Sequence, residues 1–212
     1  MKIHFVLTLF LISITSTITI AHAERSDTGF YAGVGVSQNY FDVDDLEDDL
    51  EGIAGPPFSA DIDDDDTGFK VFAGYNFVKN FGFEIGYHDL GSLDGEVNAT
   101  GAAVDLATTE VDDIQAFSAK LIGRYQVSNY DFFASAGIAF IEADAEIVVD
   151  PSGLAGGPLV ASDDFDDEVF TFGAGATWYS QSGFGIRGEW EYFDEFEDVS
   201  TNSFTLGILY NF

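Results

Sequence analysis

The sequence contains no cysteine and only 7 Lys and Arg residues. Beyond its first residues it also has no apolar run as long as a membrane helix. Without cysteine there is no disulfide framework, no thiolate nucleophile and no Cys-ligated metal site. Nucleic acid is excluded as a partner, because so acidic a chain offers phosphates no cationic face.

Acidic and aromatic residues are abundant in the same chain. Among 212 residues, 38 Asp and Glu give a formal net charge of −31, yet 46% of residues are hydrophobic and 22 are Phe. Chains with such a charge are usually disordered, but disordered chains are poor in aromatic residues. Simple disorder is therefore excluded, and the two properties are expected in different parts of the molecule.

Residues 1–23 are predicted to be a cleaved secretory signal. Lys2 supplies the positive start, residues 5–14 form an apolar core, and residues 21–23 (AHA) fit a cleavage site. An uncleaved membrane anchor is the alternative, but the stretch is too short and too polar for one. The mature chain, residues 24–212, is then expected to be one domain, either exported and soluble or a membrane β-barrel.

From residue 29 onward, large apolar residues alternate with small or polar ones in segments of about ten residues, the period-2 pattern of strands. The last segment is the clearest, with Phe204, Leu206 and Ile208 on one face; the fifth is the weakest, because Phe132 and Phe133 are adjacent. The eight segments are 29–38, 67–77, 81–90, 114–127, 131–141, 168–180, 183–193 and 203–212. An even number suits a closed antiparallel membrane barrel.

The lengths of segments and connections fit a membrane barrel. A strand of about eleven residues, rising ~3.3 Å per residue and tilted by roughly 40°, spans about 28 Å. Short connections at 78–80, 128–130 and 181–182 alternate with connections that are long except for the last. We therefore predict an all-β fold, an eight-stranded antiparallel transmembrane up-and-down β-barrel with periplasmic short turns and extracellular long loops. Aromatic residues gather at the short-turn ends, where amphipathic rings prefer the interface: Phe30, Tyr75, Phe77, Phe81, Tyr125, Trp178, Phe184, Tyr210 and Phe212.

The charges separate into two groups. Of the 38 acidic residues, 32 lie in the connecting segments 39–66, 89–113, 142–168 and 194–201, which hold no Lys or Arg and are predicted to be acidic extracellular loops. Eight charged or titratable strand residues fall on the small or polar face and are predicted to form a lumenal charge network: Lys70, Glu84, His88, Lys120, Arg124, Arg187, Glu189 and Glu191. A charge facing lipid would cost about 2–4 kcal/mol for Arg or Lys near the bilayer midplane.

The network has two interpretations. The interior of an eight-stranded barrel is just wide enough for side chains, so long charged side chains are expected to plug it. In that arrangement Glu84 and Arg124 are candidate cross-strand neighbours. The alternative is a narrow, ion-conducting, porin-like channel lined by the same residues.

Four stretches resemble a known family: GFYAGVGVS from residue 29, DDDTGFKVFAGYNF from 64, FGFEIGYHDLG from 81 and SFTLGILYNF from 203. They are similar to the small outer-membrane β-barrels of Gram-negative bacteria that include OmpX and the membrane domain of OmpA. The resemblance implies a place in the cell outer membrane, among lipid and lipopolysaccharide, and a monomeric barrel. The last strand, with Tyr210 and Phe212, resembles the signal that the barrel assembly machinery recognises. The peptidoglycan-binding domain of OmpA has no counterpart here, so that role is not carried over.

The acidic clusters raise the question of divalent cations. An EF-hand loop beginning at Asp61 would need Gly and Glu where Asp66 and Phe72 stand, so that motif fails. Loose binding of divalent cations and a solvated surface adapted to salt both stay open, with the second favoured. The candidate cation ligands are Asp42, Asp44, Asp45, Asp48, Asp49, Asp61, Asp63, Asp65, Asp163, Asp164, Asp166 and Asp167. No other cofactor is expected.

Catalysis has little support in the sequence. Some small barrels modify lipid A with a His and a Ser or an acid, and His88, beside Asp89 and near Ser92, is the single His of the mature chain. A lone His without an identifiable nucleophile and orienting group is not a catalytic constellation. A soluble barrel is disfavoured too, because water would face a continuous apolar belt. We therefore expect a non-enzymatic outer-membrane barrel with a structural or interaction role, acidic loops and a plugged lumen.

Overall fold

A computed structural model describes residues 28–43, 58–62, 65–99, 105–149, 159–196 and 199–212. The predicted signal peptide, residues 1–23, lies outside these ranges. Within them no helix is long and apolar enough to cross a membrane. The described strands, numbered in chain order, are β1 (Gly29–Asp42), β2 (Phe58–Ile62), β3 (Asp65–Val78), β4 (Phe81–Ala99), β5 (Asp105–Val127), β6 (Tyr130–Val149), β7 (Leu159–Tyr179), β8 (Phe184–Phe196) and β9 (Val199–Asn211).

Eight of these strands close into an antiparallel barrel. β1 pairs with β3 on one side and with β9 on the other, and every strand from β3 to β8 pairs with the next in the chain. The short strand β2 pairs with the far end of β4 and lies outside the ring. The predicted eight-stranded up-and-down barrel is confirmed, with β2 as an additional strand.

The two faces of the strands follow the predicted alternation. In β9, Phe204 and Ile208 are exposed while Thr205 is buried in the lumen. The ambiguity in the fifth segment is resolved in β6, where Phe132 is exposed and Phe133 is buried inside. Over the part of the barrel that carries the apolar belt, the outward positions are mostly large and apolar, and the inward positions are mostly small or polar, with exceptions such as Phe133 and Phe72.

The apolar belt has a defined limit toward the long connections. On each barrel strand its last outward residue at that end is aromatic: Tyr40, Phe69, Tyr87, Phe117, Phe140, Phe170, Tyr192 and Phe204. We call this set the outer aromatic ring. The next outward position on each strand is polar: Asp42, Thr67, Asp89, Gln115, Glu142, Glu168, Asp194 and Asn202. Such a girdle is typical of the boundary between lipid and water.

Four strands continue far past the outer aromatic ring, which corrects part of the prediction. The segments 89–113 and 142–168 were expected to be loops, but β4, β5, β6 and β7 run through most of both. Their pairing continues to Asn98 opposite Asp105 and to Val149 opposite Leu159. The high acidity of these segments is typical of loops, and this is why the extensions were not predicted. Alternating β-branched and acidic residues nevertheless suit a sheet whose outer face meets water. Much of the predicted loop acidity therefore lies on strands.

Candidate functional site: a charge network across the lumen

Six charged side chains meet inside the barrel, all nearly or fully buried. They come from strands on opposite sides of the ring, since β3, β4 and β5 face β8 across the lumen. We call them the lumenal network; its members are Lys70, Glu84, Lys120, Arg187, Glu189 and Glu191. Three cations face three carboxylates, so the network as a whole is electrically balanced.

The two lysines bridge the lumen to β8. Lys70 Nζ donates hydrogen bonds to Glu189 Oε2 at 2.6 Å and to Glu191 Oε2 at 2.9 Å. Lys120 Nζ donates to Glu191 Oε1 at 2.6 Å, and Thr171 Oγ1 donates to the same oxygen at 3.1 Å. Alternate residues of β8 share one face of that strand, so its two carboxylates form a paired acceptor for both ammonium groups.

Arg187 supplies the third crossing. Its guanidinium donates to both carboxylate oxygens of Glu84, at 2.6 and 3.3 Å, and to Glu189 at 2.9 Å. The planar group also lies over two aromatic rings, 4.6 Å from the centroid of Phe72 and 4.1 Å from that of Phe133. Bidentate pairing combined with ring stacking is the geometry that arginine favours. The guanidinium therefore occupies the middle of the lumen.

Arg124 does not belong to this network, and the predicted neighbourhood of Glu84 and Arg124 is wrong. The β4–β5 register sets Lys120 opposite Glu84, and their charged groups are 3.7 Å apart. Arg124 lies nearer the short turns, where it pairs with Asp131 at 3.3 Å and donates to the carbonyl of Lys79. The stagger between β4 and β5 is not fixed by the lengths of the turns alone. It places Lys120, four residues before Arg124, opposite Glu84.

His88 lies beside the network in a closed environment. Its Nε2 is 2.9 Å from Ser118 Oγ, and Glu191 Oε1 approaches the same nitrogen at 4.0 Å. A hydrolytic triad would need its acid on the other ring nitrogen. Both His88 and Ser118 are buried. Ser118 was missed from the sequence because it stands thirty residues away, although both residues share the inward face of neighbouring strands.

The sequence-level prediction also missed an apolar cluster in the lumen at the level of the outer aromatic ring and beyond it. We call it the outer apolar cluster; it comprises Phe41, Val43, Leu90, Leu93, Ile114, Ala116, Ala139, Ile141, Ala143, Val169 and Phe193. A second apolar group of Tyr31, Phe72, Tyr179 and Leu209 packs against the charges, with the Phe72 ring beside Arg187 and the Tyr31 hydroxyl bonded to Glu84. The outer apolar cluster could have been predicted from one signal in the sequence. On some strands an inward charged residue is followed by an inward apolar residue, as Glu191 is followed by Phe193. Charged and apolar side chains thus pack together in the lumen.

The predicted cation ligands do not gather into a described site. Asp42 and Asp65 are exposed at the outer ends of β1 and β3, and Asp166 and Asp167 are exposed within β7. Asp61 lies on β2, and Asp163 and Asp164 lie on β7. In the part of the chain that the structure describes, no three His, Cys, Asp or Glu side chains converge as metal ligands would. The remaining candidates, Asp44, Asp45, Asp48, Asp49 and Asp63, lie outside the described residues.

Asp66, which was not among the predicted ligands, fixes a bulge in β4. Its Oδ2 accepts hydrogen bonds from the Ser92 amide at 2.8 Å and from Ser92 Oγ at 3.1 Å, and its Oδ1 accepts from the Thr67 amide at 2.7 Å. Partial burial raises the pKa of this carboxyl, but the three hydrogen bonds outweigh that effect and hold the pKa below its ordinary value. Gly91, at φ +93°, brings its backbone against the carboxylate where a Cβ would not fit.

The predicted assembly signal lies on the strand that closes the barrel. Tyr210 packs against Phe184, with ring centroids 4.9 Å apart, and against Phe212 at 5.0 Å. The Phe212 amide donates to the carbonyl of Phe30 at 2.9 Å. The Phe212 ring is exposed to the surroundings of the barrel. Its exposure leaves the ring accessible to a partner in the membrane.

Comparisons with known proteins agree with this architecture. Solved structures that resemble the chain include Ail, the attachment invasion locus protein of Yersinia pestis (TM-score 0.54, 16% identity, covering 87% of this chain and 99% of Ail). OprG from Pseudomonas aeruginosa is similar at TM-score 0.54 and 11% identity, covering 90% of this chain and 98% of OprG. The outer membrane protein AlkL is similar at TM-score 0.55 and 14% identity, covering 90% of this chain and 92% of AlkL. At these identities the likeness concerns the fold alone.

A comparison with curated protein sequences finds no match. The model of one family, described as the outer membrane protein beta-barrel domain, matches residues 7–212. That match covers nearly the whole chain and includes all eight strands of the barrel. The chain therefore belongs to the outer membrane protein beta-barrel family and is an integral protein of the cell outer membrane.

Proposed function

We propose that this barrel is a sealed, non-catalytic anchor that presents an acidic surface outside the cell. The observation that carries the proposal is the packing of the lumen: a balanced network of buried charges is packed against two groups of buried apolar side chains. Each charge is paired directly with opposite charges of the network rather than with solvent. The barrel is therefore a rigid support for the segments at its acidic end. The function is then sought at the acidic end, in a structural or interaction role.

A narrow ion channel is the main competing function. A conducting path would need a continuous row of solvated polar groups, whereas Arg187 stands across the middle of the lumen between Phe72 and Phe133. Beyond Arg187, the outer apolar cluster offers an ion few polar groups to bind. Apolar constrictions also impede ions because water is excluded from them. These contacts favour the sealed barrel.

Single-channel recording tests the seal. We expect refolded wild-type protein in planar bilayers to show no stable conductance steps of porin size. The double variant Glu84→Ala/Arg187→Ala, which removes one charge of each sign from the lumenal network, provides the comparison for a thinned plug. Steady steps from the wild type at both polarities would overturn the sealed-barrel proposal.

The absence of catalysis is a separate part of the proposal. It is supported by the enclosure of His88 and Ser118 and by the approach of Glu191 to the wrong ring nitrogen. Cells producing His88→Ala or Ser118→Ala should have the same lipid A composition as cells producing the wild type, measured by mass spectrometry. A lipid A species that disappears in both variants would contradict it.

We propose that the partners of the acidic surface are lipopolysaccharide and external cationic groups, and that the barrel acts as a monomer. Carboxylates repel lipopolysaccharide phosphates directly, so contact would require divalent cations between them, held loosely by exposed oxygens. Calorimetric titration of the refolded protein with Ca²⁺ tests this in the absence and presence of lipopolysaccharide. Heat that appears only with both present would support bridging; no heat above a salt control would oppose it.

A further inference from the structure

The pairing of β1 with β9 closes the barrel. These are the first and last described strands, so they are not held together by a short turn, as β3 and β4, β5 and β6, and β7 and β8 are. We call this pairing the closing seam; it runs along β1 from Tyr31, opposite Asn211, to Asp42, opposite Ser200. Bringing distant chain segments together costs more conformational entropy than closing a hairpin. The closing seam therefore needs other contacts to compensate for that cost.

The lumenal side of the closing seam is bare at its middle. Gly35 stands directly opposite Gly207, and Gly33 is the preceding inward position of β1. A Cβ on Gly207 would lie 2.7 Å from the carbonyl oxygen of Val34 and 3.1 Å from Gly35 Cα, so a side chain does not fit there. Cross-strand side-chain pairs are the main unit of sheet stabilisation. At this level the two strands of the seam contribute no such pair on the lumenal side.

A side chain from a flanking strand covers part of this bare surface. The buried ring of Phe72, from β3, occupies the space where a Cβ of Gly33 would stand. The centroid of the same ring is 4.6 Å from the guanidinium of Arg187, which comes from β8. In the order of the sheet, β1 and β9 lie between β3 and β8. The contact between Phe72 and Arg187 therefore joins the two sides of the closing seam.

Charged side chains join the same two sides in both directions. Lys70 of β3 and Arg187 of β8 are in register with the two opposed glycines, so one cation stands on each side of the glycine pair. Lys70 Nζ donates to Glu189 of β8, and Arg187 donates to Glu84 of β4, both at 2.6 Å. All four side chains are buried, where water does not replace a lost partner. Separation of β1 from β9 would move β8 away from β3 and β4 and break these bonds.

We propose that Lys70, Phe72 and Arg187 form a strap that holds the closing seam shut from inside the barrel. The glycines of β1 and β9 provide the room in which the strap lies. Without the strap, β1 and β9 separate more readily than the strands of the hairpins, and their unpaired backbone groups are exposed to lipid. The strap acts on the wall of the barrel, so it depends neither on the absence of conductance nor on the role of the acidic end.

Hydrogen exchange of single amides, followed by NMR on refolded protein in lipid nanodiscs, tests the strap. Residues of an antiparallel pair direct their backbone groups alternately toward and away from the partner strand. The Phe212 amide donates to the Phe30 carbonyl, so in the same register the amides of Val36 and Leu206 point across the closing seam. Exchange of these two amides therefore reports opening of the seam, and exchange of the amides between β6 and β7 reports opening of a neighbouring part of the wall.

Two double variants are compared. The strap variant, Glu84→Gln/Arg187→Met, removes one buried charge of each sign. The matched control variant, Arg124→Met/Asp131→Asn, also removes one buried charge of each sign, but from an ion pair between the adjacent strands β5 and β6. Heat-dependent migration on SDS gels establishes that each variant is folded. Phe72→Leu, which keeps an apolar side chain but removes the ring, replaces the strap variant if that variant does not fold.

A disulfide across the closing seam provides a rescue. Ser37 and Thr205 stand opposite each other and are the next inward pair after the glycines, and the chain has no cysteine of its own. Opposed residues of this kind, without mutual backbone hydrogen bonds, have Cα atoms about 4.5 Å apart, and disulfides span about 4.4–6.8 Å. Adding Ser37→Cys/Thr205→Cys to the strap variant should therefore replace the strap by a covalent link.

We expect the amides of Val36 and Leu206 to exchange about tenfold faster in the strap variant than in the wild type, the scale of losing one hydrogen bond between charged groups. Amides between β6 and β7 should change less, and the disulfide should restore slow exchange at the seam. Unchanged exchange at the seam, or equal acceleration at both places, would overturn the proposal. So would the same acceleration of the seam in the control variant, or fast exchange that persists with the disulfide formed.

Discussion

The buried charges of the lumen depend on one another residue by residue. Glu84 accepts two hydrogen bonds from Arg187 and one from the Tyr31 hydroxyl at 2.8 Å. It also lies 3.7 Å from both Lys70 and Lys120. One carboxylate thus balances cations from three strands. Removing one buried charge leaves an excess of the opposite charge that water does not reach, which is costlier than losing the pair's own attraction.

Glu84→Gln should therefore destabilise the barrel strongly. The change keeps the size of the side chain but leaves three cations facing two carboxylates, so we expect a loss of about 3–5 kcal/mol in the free energy of unfolding. Urea unfolding of protein refolded into vesicles, followed by SDS-gel mobility, measures it. The exposed Glu168→Gln is the matched control and should change little.

Removing the opposite charge as well should restore part of that loss. Glu84→Gln/Arg187→Met takes away one charge of each sign, so the remaining lysines and carboxylates of β8 stay balanced. If the double variant loses as much unfolding free energy as the two single variants together, or more, the network is not coupled.

Asp66 gives a pH-dependent prediction outside the apolar belt. Because its pKa is lower in the folded state than the ordinary 3.8, its hydrogen bonds contribute fully above pH 4 and are lost as the pH falls through the folded pKa. Protection of the Ser92 amide from hydrogen exchange should fall in that acidic window and not at higher pH. Asp66→Asn should abolish the step, whereas the neighbouring Asp65→Asn should keep it. A step centred above pH 4 would be inconsistent with the bond pattern.

At the scale of the element, the long strands reverse their amphipathic character along their length. In β6, outward Phe140 is followed by outward Glu142, while inward Ser135 gives way to inward Ile141. The period-2 alternation does not break at this point; only the identity of the two faces changes. Strand periodicity could therefore predict the eight segments and their faces. It could not predict where the lipid ends, because that depends on which face meets water.

Ile141→Asn should loosen the outer half of the barrel and leave the lipid-embedded half intact. It buries an amide without partners in the outer apolar cluster, at a cost of roughly 1–3 kcal/mol. Hydrogen exchange of protein in vesicles should show lost protection beyond the outer aromatic ring and unchanged protection below it. Glu142→Asn, one residue along and on the outward face, is the control. Equal effects of both variants would mean that the cluster does not stabilise the extensions.

The last strand carries a prediction about assembly. If the exposed ring of Phe212 is read by the assembly machinery, Phe212→Ala should lower the amount of folded barrel in the outer membrane of cells. Refolding from urea into vesicles should be little changed. Phe184→Ala removes another exposed aromatic at the same end and should assemble normally. A shared defect in both variants, in cells and in vitro, would point to packing instead of recognition.

At the scale of the whole molecule, the charge is divided between a balanced interior and an acidic end. The surplus of acidic residues could be located from the sequence alone, because the segments that carry it contain no Lys or Arg. The interior partners could be named as a set but not paired. Lys70 meets Glu189 across 119 positions of chain, a contact fixed by barrel closure and strand stagger that no local pattern encodes.

The register of the extensions makes the acidic end sensitive to salt. Acidic residues occupy directly opposite positions at Asp112 and Asp144, at Asp144 and Asp164, and at Glu142 and Asp166. Each like-charged pair disfavours strand pairing by roughly 0.2–1 kcal/mol. Ions weaken this repulsion, since the screening length falls from about 30 Å at 0.01 M to about 3 Å at 1 M ionic strength.

Protease resistance of the extensions in vesicles should therefore rise with NaCl, and CaCl₂ at matched ionic strength should give the same rise if screening is the cause. Asp144→Asn/Asp164→Asn removes both opposed pairs that contain Asp144 and should weaken the salt dependence. Glu168→Gln/Asp194→Asn removes as many charges, neither opposed by an acid in the described register, and should affect it less. Saturable protection by CaCl₂ at concentrations where NaCl has no effect would indicate specific cation binding instead of screening. The strand extensions of β4 to β7 would then form a calcium-responsive surface.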